Sequence, residues 1–403
     1  MNSFVILHAK IVTPDGTLPN ASLRVEDGII TQIGEEIREE EELLPVIDAR
    51  GAILMPGIID IHTDALDMEI VPRPGADIPI VIAFRELERK MSGCGFTTVF
   101  HSLHLGYEVA EGQQRSKYTR REIFETIHQA AAGPTLLNNK IHLRYELTGV
   151  HAYEDCLEFI KKGYVSLLSV MDHTPGQGQF GKDNFKRHML AQGKTEAQIA
   201  EEMNILISRP RIEGERLKAM IRLAKDHHIP VASHDDDTVE KVDFMHDLGV
   251  DICEFPITLE TARHATKRGM QVAGGASNIL RGGSLSGNLT IKDAVKEGAV
   301  DTLCSDYYPP SILYSVFKLH QDEKMPLSEV VKLATLNPAR AAGIHSYTGS
   351  IETGKNADLL LVKMQGGYPM ITHTIVGGHI VSQARLSTGG NEIQAKKSNE
   401  EYA

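Results

Sequence analysis

Residues 57–67 read GIIDIHTDALD: an apolar run opened by Gly57 that delivers His62 and Asp64, two positions apart, at its far end. Side chains alternate faces along a strand, so this spacing puts both polar groups on one side of a strand terminus. Alone, the pair is an ordinary polar strand end. Its meaning comes from what surrounds it. Short apolar runs recur as TTVFHSL, IHLRYEL, YVSLLSV, IPVASH, VDICEF, MQVAGG and VDTLCS, with amphipathic segments between them. One such segment, AFRELERKMSG, closes at Gly93, and another opens on Thr195 and Gln198 with capping-box spacing. Strands alternating with helices predict a parallel α/β sheet, and eight of them in this length predict a (β/α)8 TIM-like barrel.

The two ends of the chain differ from this middle. FVILHAKIV and ASLRVEDGIITQIG near the start, the latter with a hairpin signal at Asp27-Gly28, are strand-like. So are ADLLLVK and ITHTIVGGHIVSQ near the end. Termini commonly lie close together, which predicts a composite β-sandwich from residues 1–54 and 346–386 around a barrel at 55–345, followed by a polar tail at 387–403.

The 403 residues are enough for one large barrel and a small module. Asp and Glu outnumber Lys and Arg by 54 to 42, which argues against a nucleic-acid or anionic-membrane surface but not against a small anion opposed by local arginines. Cys94, Cys156, Cys253 and Cys304 form no CxxC or zinc-finger spacing and read as buried thiols of a reducing compartment. No leader pattern opens the chain, and no run approaches the roughly 20 apolar residues of a membrane span. The expectation is a soluble cytoplasmic protein, with homo-oligomerisation left open.

In a barrel, chemistry gathers where strands end at their carboxyl side. Six residues stand there: His62, Asp64, Glu146, His173, His234 and Asp306. In IHLRYEL, alternation sets His142, Arg144 and Glu146 on one face and apolar residues on the other. Imidazoles and carboxylates together are the ligand set of zinc or a similar divalent ion, one or two per chain. Such an ion brings the ionisation of water near neutrality, and Asp306 is the carboxylate expected to accept the proton. Arg73, Arg144 and Arg281 are candidates for an anionic substrate. Asn278, Gly282 and Gly283 accompany Arg281 in a loop whose glycines would let backbone N–H groups approach phosphate.

MPGIIDIHTD, TLNPARAAGI and TGSIETGKNADLLLV resemble the amidohydrolase superfamily of metal-dependent hydrolases. A narrower resemblance, covering about residues 50–360, is carried by HTDALDMEIVPRPG, SLLSVMDHTPGQGQF, VASHDDDT, EFPITLE, GASNILRGGSLSGN and LCSDYYPPSIL. These look like the PhnM proteins of phosphonate metabolism, which act in the carbon–phosphorus lyase pathway as α-D-ribose 1-methylphosphonate 5-triphosphate diphosphatases. The resemblance implies a hydrolase that takes a phosphorylated sugar phosphonate and releases pyrophosphate. It also implies a divalent metal, with His62 and Asp64 matching the first-strand pair, His173 and His234 the later histidines and Asp306 the last-strand Asp. Asp64 departs from the usual second His. Glu146, standing where many relatives carry a carboxylated Lys, is the expected metal bridge, with Glu254 in reserve. The competing readings are an amidohydrolase of cyclic amides or nucleobases, and a non-catalytic scaffold.

Overall fold

A computed structural model gives the fold over residues 2–34, 37, 44–106, 116–176, 178, 181–284 and 289–385. The expected tail at 387–403 lies outside these described residues. Strands β1 (Phe4–Thr13), β2 (Gly16–Glu26), β3 (Ile29–Gly34), β4 (Val46–Asp48) and β5 (Ile53–Pro56) open the chain. Asp27 and Gly28 join β2 to β3 with positive φ values of 48° and 80°, the backbone a two-residue hairpin needs to follow the strand twist. The barrel strands follow: β6 (Ile58–Thr63), β7 (Phe96–Leu105), β8 (Asn138–Glu146), β9 (Leu167–Met171), β10 (Val231–His234), β11 (Ile252–Glu254), β12 (Gln271–Gly275) and β13 (Thr302–Cys304). The last three, β14 (Leu359–Gln365), β15 (Tyr368–Val376) and β16 (His379–Gln383), return to the first sheet, where β14 pairs antiparallel with β5. Both chain ends therefore build one hydrogen-bonded sheet of eight strands, with its own cluster of buried residues such as Ile6, Leu23, Leu54, Leu359 and Ile375.

The second sheet is an all-parallel, nearly closed barrel of eight strands in chain order, β6 to β13. The two sheets meet at Gly57, where a side chain is excluded: a Cβ would fall 2.1 Å from Thr97 Oγ1. The helix Ile80–Gly93 and its counterparts cover the outside through Phe84, Leu87, Phe124 and Phe159. The helix Glu196–Ser208 carries the capping box expected of Thr195 and Gln198. Inside, Ile59, Ile61, Phe100, Leu167, Ala232, Ile252 and Ala273 pack with Ala339, Ala342 and Ile344 into an apolar layer beneath the polar mouth. No helix among the described residues is long and apolar enough to cross a membrane. Cys156, Cys253 and Cys304 are buried and Cys94 is half-buried, all four as free thiols.

The barrel closes unevenly. At the amino ends β6 and β13 stand apart, and the Leu333–Ala334 backbone fills the gap by accepting from Leu303 N and Ile59 N. At the carboxyl ends they meet, with Asp306 N donating to the His62 carbonyl at 3.0 Å and Asp64 N to the Asp306 carbonyl at 2.8 Å. One neighbouring carboxylate is tuned by burial. Asp301, just before β13, accepts from Val272 N and Thr302 Oγ, yet desolvation lifts it to about 6. A carboxyl raised above its unfolded value contributes stability below the unfolded pKa and loses it as pH climbs through the folded one. Asp301→Asn keeps an acceptor without the charge. Its unfolding free energy relative to wild type is therefore expected to rise by up to about 3 kcal/mol from about pH 4 to about pH 7, read by urea denaturation across that window. A difference independent of pH would refute the assignment.

Candidate metal centre

The mouth is built from the ends of six strands. His62 is the penultimate residue of β6; its side chain is buried, and its Nδ1 lies 2.8 Å from Glu254 Oε1 at the end of β11. The register of β6 against β7 shifts between Asp60 and Thr63. Asp60 makes that irregularity tolerable. Its Oδ1 accepts from His62 N at 3.2 Å and Ser305 N at 3.1 Å, and its Oδ2 from Ser305 Oγ at 2.5 Å. The buried carboxylate thus satisfies backbone N–H groups of the first strand and of the segment after the last, and burial pushes its pKa up to about 7 against those three donors.

Donor atoms converge in three overlapping groups: His62, His234 and Glu254; His173, His234 and Asp235; and His62, Asp64 and Asp306. Of the six ligands expected from sequence, five lie in these groups. Glu146 does not. Its Oε2 lies 2.7 Å from His173 Nδ1 and its Oε1 accepts from His173 N and Thr148 Oγ1, so it orients that histidine instead of bridging. Glu254, held in reserve by the sequence reading, stands among the donors, and Asp235 joins them unforeseen. Asp235 had a readable signal, an acid directly after His234, but the neighbouring Asp236 and Asp237 offered the same one.

The donor chemistry fits a divalent ion. Among the described residues, His62 Nδ1, His234 Nδ1 and both carboxylate oxygens of Glu254 are buried with no hydrogen-bond partner. The 2.8 Å approach of His62 Nδ1 to Glu254 Oε1 lacks hydrogen-bond alignment, as two donors aimed at a shared cation would. Burial, then the Arg144 charge, holds the His62 pKa well below its ordinary value, which keeps the imidazole neutral and able to ligate. His234 is shifted the other way: burial opposes its protonation, but the adjacent Asp235 carboxylate outweighs that. Asp306, half-buried and beside Asp64, is raised to about 7 by desolvation although Arg144 pulls it down. Asp235, Phe255 and Asp306 all take left-handed backbone, with φ of 53°, 56° and 58°. The Phe255 ring packs against the rings of both His62 and His234.

The candidate substrate residues separate. Arg144 is buried inside the centre, donating to Asp64 Oδ1 at 2.7 Å and His234 Nε2 at 3.2 Å, with Nε on Met171 Sδ. Arg73 is exposed on the segment after the helix Ala65–Ile70. Arg281 is exposed too, donating to Tyr307 Oη and the Gly283 carbonyl. Asn278 is buried and fastens the far side of the loop through Leu289 O and Ile291 N. The N–H groups of Gly282 and Gly283 turn back to the Asn278 carbonyl, where Gly282 ends its helix at φ 82°, so they form no outward cradle for an anion.

This barrel, its polar mouth and the composite sheet are those of a known class: residues 53–381 match the model of the amidohydrolase family, and the chain belongs to it. Within that class it is 35% identical to the α-D-ribose 1-methylphosphonate 5-triphosphate diphosphatase of Escherichia coli (strain K12), over 92% of this chain and 97% of that enzyme. It is 23% identical to an imidazolonepropionase of Phocaeicola vulgatus, over 94% of this chain and 99% of that one. In fold it is similar to the solved structure of molinate hydrolase, at a TM-score of 0.65 and 13% identity, with 96% of this chain and 98% of that one covered.

Ser305→Ala would leave the buried Asp60 Oδ2 without its hydroxyl donor. The expected cost is about 1–3 kcal/mol of unfolding free energy, measured by chemical denaturation. A loss under about 0.5 kcal/mol would mean that the clasp contributes little.

Proposed function

We propose that the chain is a metal-dependent diphosphatase of phosphonate catabolism. It hydrolyses a ribose 1-phosphonate 5-triphosphate, taking one water and yielding the 5-phosphate and pyrophosphate. The observation that carries this reading is the identity to the Escherichia coli diphosphatase along nearly the whole of both chains. The site supports it. His62, Asp64, His173, His234, Glu254 and Asp306 supply the donors for zinc or a related divalent ion, and Glu146 sets His173 in place. Such an ion, when bound, neutralises charge developing on phosphate oxygens and lowers the pKa of water. Asp306, with its carboxyl near neutrality, is placed to take and return a proton. The exposed Arg281, steadied by Tyr307, and Arg73 are the arginines assigned to the anionic substrate; Arg144 is committed to the centre itself.

Pyrophosphate release from ribose 1-methylphosphonate 5-triphosphate, compared with hydrolysis of hydantoin, dihydroorotate and nucleobases, tests the activity. Turnover of the triphosphate alone is expected. Turnover of a cyclic amide without pyrophosphate release would move the chain to another amidohydrolase reaction, and no turnover by a metal-loaded chain would favour a scaffold.

The ligand assignment has its own test in zinc affinity, measured by calorimetry. Glu146→Ala, which removes only an orienting carboxylate, is expected to weaken binding by about 10–100-fold. Glu254→Ala removes a ligand and should weaken it further. The reverse ranking would return Glu146 to the ligand set.

A further inference from the structure

Arg120 opens the helix Arg120–Ala131, directly after its N-cap Thr119. Its Nη1 donates to both oxygens of Asp67, at 2.8 and 3.0 Å. Asp67 stands three residues beyond Asp64, in the helix Ala65–Ile70 that follows the first barrel strand. An arginine commonly meets a carboxylate through two nitrogens, but here a single nitrogen takes both oxygens. Nε and Nη2 are left with no hydrogen bond among the described residues. They present a parallel pair of N–H groups along one edge of the guanidinium, the geometry that takes two oxygens of a phosphoryl group. The next residue shows the contrast. Arg121 commits both terminal nitrogens to Glu125, Asp155 and Glu158, acids of its own helix and of the helix Tyr153–Lys161.

Arg120 belongs to the mouth through His104. On β7, His104 pairs in register with Arg144 on β8, and paired residues of parallel strands turn to one face. Its Nε2 lies 3.5 Å from Arg144 Nη1, so His104 lines the mouth beside the centre. Burial, then the charges of Arg144 and Arg120, hold its imidazole well below the ordinary pKa, which brings Arg120 within reach of that face. Arg120, His104, Arg144 and Asp64 are thus successive neighbours from rim to donors, with the half-buried Arg120 at the solvent end. With 54 acids against 42 bases the chain as a whole repels an anion, so an anionic substrate needs cations at the entrance. A triphosphate also carries charged groups that take no part in the reaction. We propose that Arg120 is a specificity-determining residue, held at the rim by Asp67 so that Nε and Nη2 grip a non-reacting phosphoryl or phosphonate group of the substrate. This rests on the diphosphatase reading above and adds a substrate contact beyond Arg73 and Arg281.

Steady-state kinetics of the full, metal-loaded chain test this, with ribose 1-methylphosphonate 5-triphosphate and with ribose 5-triphosphate, which lacks the phosphonate. Arg120→Met is expected to raise KM by about 10–100-fold while kcat falls by less than about threefold. A rise with both substrates assigns the grip to the triphosphate, and a rise with the first alone assigns it to the phosphonate. Asp67→Asn keeps the cation and an acceptor for it, and is expected to raise KM less than Arg120→Met does. An unchanged KM in folded Arg120→Met, or a loss confined to kcat, would overturn the inference. Equal KM shifts in the two variants would overturn it as well, because the arginine would then act only by fastening its helix to Asp67. Thermal unfolding reports folding. Should Arg120→Met not fold, Arg120→Lys, which retains the charge without the fork, takes its place: a raised KM is expected, and an unchanged one overturns the inference. If wild type hydrolyses neither triphosphate, the diphosphatase reading fails by itself. Pyrophosphate affinity by calorimetry, wild type against Arg120→Met, then tests the arginine alone, and equal affinities overturn its role.

Discussion

The site depends on how a barrel closes when its first and last strands do not pair along their length. A parallel sheet rolled into eight strands has one seam, and unpaired backbone N–H groups at a buried seam are costly. Here the seam is closed in three pieces. The Leu333–Ala334 backbone serves the lower part, the Asp60 carboxylate the middle, and the reciprocal backbone bonds of His62, Asp64 and Asp306 the top. The same atoms that seal the seam fix the donors. Asp60 binds the backbone N of His62, and Asp306 cannot shift without breaking its bonds to residues 62 and 64. Closure of the fold and alignment of the centre are one constraint, which is why a short stretch opened by Gly57 governs both.

The electrostatics follow from that enclosure. Above the apolar floor of Ile59, Phe100 and Ile252, polar groups face a low-dielectric interior that shifts the titration of His62, His104 and Asp306. His62 and His104 are pushed toward neutrality, and Asp306 is pushed up to about 7. Among these, Arg144 is the buried guanidinium. Its charge depresses His62 and His104, opposes the rise of Asp306, and is compensated in turn by Asp64 and Glu254. A buried charge without partners costs several kcal/mol, so the acids of the mouth are needed for the stability of the arginine as well as for a metal.

Much of this was legible in the sequence. The eight strands could be read because a parallel barrel buries both faces of each strand, which leaves short apolar runs with a polar residue only at the carboxyl end. His62, His234 and Asp306 were visible for that reason. Glu146 and Glu254 were equally visible as acids at strand ends, but which of them faces the donors depends on where β8 and β11 sit in the ring relative to β9 and β6. Single-strand alternation carries no information about that angle. The loop glycines misled for a related reason: Gly282 serves a left-handed helix end, and the same residue type would serve an anion cradle. Arg144 was read as a contact for the anionic substrate, on a strand face turned to the mouth or to water. That its donors would be spent on Asp64 and His234 could be known only once those strands were brought together.

Asp64 can now be understood from its partner. In the usual first-strand pair the second residue is a histidine, a neutral ligand that suits a site whose positive charge comes from metals. With a permanent guanidinium on the facing strand, a histidine there would offer it at most one lone pair and no compensating charge, and its own protonation would add repulsion. A carboxylate offers two oxygens and a negative charge. Its Oδ1 holds Arg144 at 2.7 Å, while the group still stands among the donors with His62 and Asp306. The departure from the common motif at position 64 and the arginine at position 144 are therefore two halves of one buried electrostatic pairing.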